Sequence, residues 1–135
     1  MKINNWLKYF IYLLLIVTLS WMGITILSNY HAEVQRSYNA NIFLIMFVNL
    51  IFFGGIGVVL GLDNFILQLK IKGQWRVNIP KLIILGLPSL ILSTPYLWFI
   101  LLPSATQFMN AICLISNIVL GYILVSSIIR EAILD

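Results

Sequence analysis

Charge is what this 135-residue chain has least of. Asp, Glu, Lys and Arg make up 9% of it and hydrophobic residues 61%, and mean hydropathy is +1.03. A water-soluble domain carries about 25% charged residues, because its surface must face water. The shortage excludes an ordinary soluble globule and puts most of the outer surface in lipid. Cysteine occurs once, as Cys113, so neither an intramolecular disulfide nor a Cys-x-x-Cys pair exists. Histidine also occurs once, and His31 with Glu33 falls short of a metal ligand set. No serine has a histidine base within sight, since His31 is alone. Glycine motifs that cradle phosphate are missing too. The sequence therefore offers no catalytic, cofactor-binding or metal site, and it points away from an enzyme.

What is present is four long apolar runs: Tyr9–Ser28, Ile42–Leu62, Leu82–Leu102 and Phe108–Ile129. A spanning helix needs about 20 apolar residues at 1.5 Å rise each. None of the runs contains Asp, Glu, Lys, Arg or His, so a proton relay or carboxylate-coupled antiporter lacks its usual parts. The length allows one domain. The expected fold is an all-α integral membrane protein with four transmembrane helices. The loop over residues 63–81 carries either a short helix extension or a β-hairpin. The first run follows Lys2 and Lys8 as the core of a signal peptide would. It is too long for one, and "SNYHAE" puts Tyr30 where a small residue is wanted, so it reads as a retained helix. Abundant isoleucine and asparagine with little alanine fit an AT-rich bacterial genome.

Lys and Arg set the direction of threading. Lys2 and Lys8 precede the first run, and Arg36 alone follows it. Lys70, Lys72, Arg76 and Lys81 fill the second loop, and Arg130 follows the last run. With both termini cytoplasmic, every basic residue but Arg36 faces inward. The expected location is the cell membrane, multi-pass. The net charge of +4 then reads as a topology signal and not as a nucleic-acid footprint. Trp6, Tyr9 and Trp75 fall near the inner interface, and Tyr30 and Tyr38 near the outer one.

The second loop contains "LQLKIKGQWRVNIP", residues 67–80, which alternates apolar and polar from Leu67 to Ile79. Three readings fit. The second helix continues to about Lys72, Gly73 ends it, and an extended segment runs to Ile79 ahead of Pro80. Alternatively, a hairpin turns at Lys72-Gly73-Gln74. The third reading is an irregular loop. In each, Lys70, Lys72, Trp75, Arg76 and Lys81 form a membrane-surface feature. Such a cluster attracts anionic headgroups at the cytoplasmic face by about 1 kcal/mol per basic residue.

Polar and small residues inside the runs come next. Asn49, Ser89, Ser93, Asn110 and Asn117 are candidates for a polar cavity; the other reading has each satisfied locally. Gly54, Gly57, Gly61 and Gly121 are candidate helix-packing positions, because small residues let backbones approach closely in lipid. Asn110, Cys113, Asn117 and Gly121 share one helical face, which is expected to point into the bundle. Pro88 and Pro95 are expected to kink the third helix. Two functions follow. The first is a non-enzymatic subunit of a membrane assembly, packing with itself or with another membrane protein. The second is a small passive channel or transporter subunit for a lipid or small neutral solute, acting as a homo-oligomer.

Overall fold

A computed structural model describes residues 5–39, 41–94 and 106–132. The chain is mostly helical. α1 covers Asn5–Ser37, α2 Ile42–Lys70, α3 Ile79–Leu92 and α4 Thr106–Ser126. Two short strands, β1 at Gly73–Val77 and β2 at Ile128–Ala132, form an antiparallel ribbon. α1 and α2 are long and apolar enough to cross a membrane. At 1.5 Å per residue they run about 50 and 44 Å, beyond a hydrocarbon core of roughly 30 Å. The described parts of α3 and α4 are shorter apolar helices. Residues 95–102 of the third expected span lie outside the described residues, as does Pro95.

α1 does not stop at Ser28. It passes through His31 and Glu33, which therefore stand on a helix and not in a loop. Neither glycine nor proline interrupts residues 24–37, and the hydroxyls of Thr25, Ser28 and Ser37 bond to carbonyls one turn back. Tyr38 then closes the helix in the left-handed region, φ 55°, with its N–H on Val34 O at 2.8 Å. That places an L side chain where glycine is usual. The hydroxyl of Tyr30 accepts from the N–H of Asn41, which caps α2.

Helix directions alternate. Gly23 of α1 lies against Phe52 and Phe53, and Leu19 against Gly55, while Lys8 pairs with Asp63; α1 and α2 are antiparallel. Gly54 lies beside Asn117, Gly57 beside Ile118 and Tyr122, and Gly61 beside Val125, so α2 and α4 run parallel. α3 opposes α4, with Lys81 at Ser126 and the Cys113 thiol toward Leu92 O. The α2–α4 contact is the main interface. A Cβ on Gly57 would stand 1.9 Å from Ile118 O, and one on Gly121 2.0 Å from Gly54 O. Only glycine permits that approach, and the close contact is within the chain.

The loop expectation is resolved in favour of the helix extension, with corrections. α2 runs to Lys70, so residues 63–70 are not loop. Its cap is Ile71 in an extended conformation, φ −81° and ψ 127°, and not a left-handed Gly73. Gly73 does not turn a local hairpin either: it starts β1 opposite Ala132. The extended stretch ends at Asn78, because the Asn78 side chain accepts from the N–H of Lys81 and starts α3 with Pro80 in its first turn. The expected fourth span to Ile129 is too long by three residues. α4 ends at Ser126, where β-branched Ile128 and Ile129 pair with Val77 and Arg76 instead.

Within α3, residues Leu82–Gly86 form a π-helical turn just before Pro88. Proline lacks an N–H and crowds the carbonyl four residues back. A widened turn at that place accommodates it.

Candidate membrane-surface site at the basic end

The alternating directions gather charge. Lys8, Lys70, Lys72, Arg76, Lys81 and Arg130 share one end of the molecule, through the Lys8–Asp63 pair, the β1–β2 ribbon and the Lys81–Ser126 contact. Arg36 is at the other end, in the last turn of α1.

These cations do different things. The Arg130 guanidinium donates through Nη1 to Ile71 O at 2.9 Å and Leu69 O at 3.4 Å, carbonyls at the end of α2. Its backbone N–H donates to Gln68 Oε1 at 2.8 Å. Its Cζ lies 4.2 Å from the centroid of the Trp75 ring, its register partner on β1, and Trp75 in turn stacks on Phe65 of α2 at 5.7 Å. Arg130 thus meets the negative end of a helix dipole and a π face together. Lys81 does the same for α4: its Nζ donates to Ser126 Oγ at 2.8 Å and Ser126 O at 3.3 Å, over the Tyr122 ring. Ser126 and Ser127 are buried, and Ser127 O accepts from the N–H of Asn78 at 2.8 Å. A polar knot therefore ties the end of α4 to the start of α3.

Arg76 forms an exposed pair with Glu131 at 2.7 Å across the ribbon. Lys70 and Lys72 are exposed and meet no acidic side chain among the described residues. Of the five residues expected at the membrane surface, Lys70 and Lys72 are thus free to attract anions, and Arg76 is partly neutralised. Lys81 is engaged in the fold. Trp75, 43% exposed, packs one face on Phe65 and carries Arg130 nearby.

The five polar candidates do not share one lining. Asn117, 2% exposed, donates through Nδ2 to Cys113 O at 2.8 Å. Ser89 donates to Leu85 O and Ser93 to Leu90 O, each within its own helix. Asn49 is buried in α2, and its side-chain oxygen finds no donor among the described residues. Asn110 is exposed, contrary to the expectation that its whole face points inward. The helical stripe holds only from Cys113 onward, where α4 meets α2 and α3. Of the five, only Ser93 and Asn117 border a cleft of about 360 Å³, which Thr94 and apolar side chains such as Phe43, Phe47, Leu90 and Leu120 also line.

Sequence reasoning missed the Lys8–Asp63 pair. The signal was available: a lysine opening one apolar run and an aspartate closing the next meet at equal depth when the helices are antiparallel. The Arg130 contacts had no such signal, since their partners lie about sixty positions away. Among the described residues no group of His, Cys, Asp and Glu could hold a metal. No protein-family model matches this chain, and neither does any curated protein or solved structure.

Proposed function

We propose that this chain is a four-span protein of the cell membrane, with both termini and the β1–β2 ribbon on the cytoplasmic side. In this reading it serves as a non-enzymatic subunit of a membrane assembly. The observation that carries the reading is the gathering of all but one of the described Lys and Arg residues at one end of helices that alternate in direction. That is the charge asymmetry of a threaded membrane protein. The ribbon, together with the free Lys70 and Lys72 just ahead of it, gives that end a surface for anionic headgroups or for an acidic partner segment. The channel reading has less behind it, because the five polar residues do not converge among the described residues.

Cysteine accessibility tests the topology. In a Cys113→Ser background, Ser37→Cys should label only from outside in intact cells, and Gln74→Cys only after the inner face is opened. The reverse pattern, or labelling of both from one side, sinks the arrangement.

A further inference from the structure

At the basic end, α1 and α2 enclose a groove of about 260 Å³ whose lining changes character along its length. Asp63, Tyr9 and Tyr12 stand at its outer mouth, and Leu13, Ile16, Val59 and Leu60 continue it along the two helices. The mouth already holds one ammonium. Lys8 Nζ pairs with the Asp63 carboxylate and lies 5.5 Å from the centroids of both tyrosine rings, which meet edge to face at 6.3 Å. A carboxylate with two π faces is a cation site. Side chains of Lys8 and Asp63 are 29% and 37% exposed, so the site is reachable from outside.

We propose that this groove binds an amine-headed membrane amphiphile, of the aminophospholipid class. Its ammonium sits beside Asp63, Tyr9 and Tyr12, and its chain lies along Leu13, Ile16, Val59 and Leu60. This rests on the reading that α1 and α2 cross the membrane, which sets the polar mouth at headgroup depth and the apolar floor at acyl depth. The Lys8 ammonium is the resident cation. When a lipid amine displaces it, Lys8 is left beside the lipid phosphate, so the Lys8–Asp63 pair matches the phosphate–ammonium pair of a zwitterionic headgroup. The apolar floor selects a lipid over a free amine.

The test uses the full chain in bilayers of equal parts phosphatidylethanolamine and phosphatidylglycerol. After gentle detergent extraction, native mass spectrometry reads which lipid is retained. The wild type should retain phosphatidylethanolamine in excess. Asp63→Asn should cut that excess about tenfold, the loss of one charge-assisted contact. Lys8→Gln should keep or raise that excess: the lost contact to phosphate is common to both lipids, while the ammonium that competes for Asp63 is gone. Tyr12→Leu, which leaves the ion pair in place, should lower it and serves as the second variant if Asp63→Asn does not fold. Equal retention of the two lipids by the wild type overturns the site, as does an unchanged ratio in both Asp63→Asn and Tyr12→Leu. Displacement of the bound lipid by millimolar free ethanolamine overturns the amphiphile assignment. Carbonate extraction separates the two levels. A chain released by carbonate removes the membrane reading; a chain that stays and shows no lipid preference removes only this site.

Discussion

Arg130 was legible in the sequence only as a charge after the last apolar run. Its position alone placed it correctly at the basic end, beside the second loop. Its work depends on carbonyls at 69 and 71 and a ring at 75, which no local pattern reveals. The consequence is specific. Arg130→Gln removes the Nη1 contacts and the cation over Trp75 at once, and Arg130→Lys restores charge without the guanidinium. A lost charge-assisted bond with its cation–π contact costs about 1–3 kcal/mol. Amide exchange over residues 73–77 should therefore speed up at least about fivefold in Arg130→Gln, with Arg130→Lys in between. Unchanged exchange in both variants would mean that the strand ladder alone holds the ribbon. Asp63 and Asn49 mark the other side of legibility. Asn49 stood out as a polar residue in an apolar run and Asp63 did not, and only the packing tells that Asp63 has a lysine and that the Asn49 oxygen has no donor among the described residues.

At the scale of elements, the apolar runs located the helices, because 3.6-residue periodicity and hydrophobic length are local properties. The ends were harder to read. α1 and α2 outrun their apolar segments because nothing in the following residues breaks a helix. α4 falls short of its own because Ile128 and Ile129 suit a strand as well as a span, and the strand partner is fifty residues earlier. The alternation of residues 67–79 was half signal: its second half is β1, and its first half is helix. Small residues in the second run likewise announced a close crossing without saying with which helix. The structure now grades them. A methyl at Gly57 would overlap Ile118 O, and one at Gly121 would overlap Gly54 O, both backbone atoms that cannot swing aside. A methyl at Gly54 meets nothing nearer than 3.7 Å, and one at Gly55 nothing nearer than 3.5 Å. Gly57→Ala and Gly121→Ala should each cost about 3 kcal/mol or more by forcing α2 and α4 apart. Gly54→Ala and Gly55→Ala should be neutral, or slightly stabilising through helix propensity. Yield of monodisperse protein and its melting temperature in detergent read the difference. Equal behaviour of all four variants would contradict the parallel α2–α4 crossing.

For the whole molecule, the two ends differ in kind, and the difference bears on how the protein sits. The Arg36 end presents a capped helix and the Tyr30–Asn41 contact. The other end presents the ribbon with Trp75 and Val77 exposed, and Ile79 exposed at the start of α3, beside Lys70 and Lys72. Exposed apolar and basic groups together suit the interface of an anionic leaflet, where tryptophan places its ring at headgroup level. In a protein whose other tryptophans are phenylalanine, Trp75 should be quenched by lipids brominated near the headgroup and shielded from aqueous iodide. The basic residues should not contribute equally. Lys70→Gln and Lys72→Gln should each weaken docking about fivefold in anionic bilayers, the equivalent of about 1 kcal/mol per free cation. Arg76→Gln should do less, since Glu131 already answers its charge. Raising salt to 1 M shortens the screening length from about 8 Å to about 3 Å, and it should reproduce the two lysine losses in the wild type. If iodide quenches Trp75 fully while brominated lipid does not, the ribbon stands free of the bilayer. Its exposed edge and the two unpaired lysines ahead of it would then face an acidic partner strand.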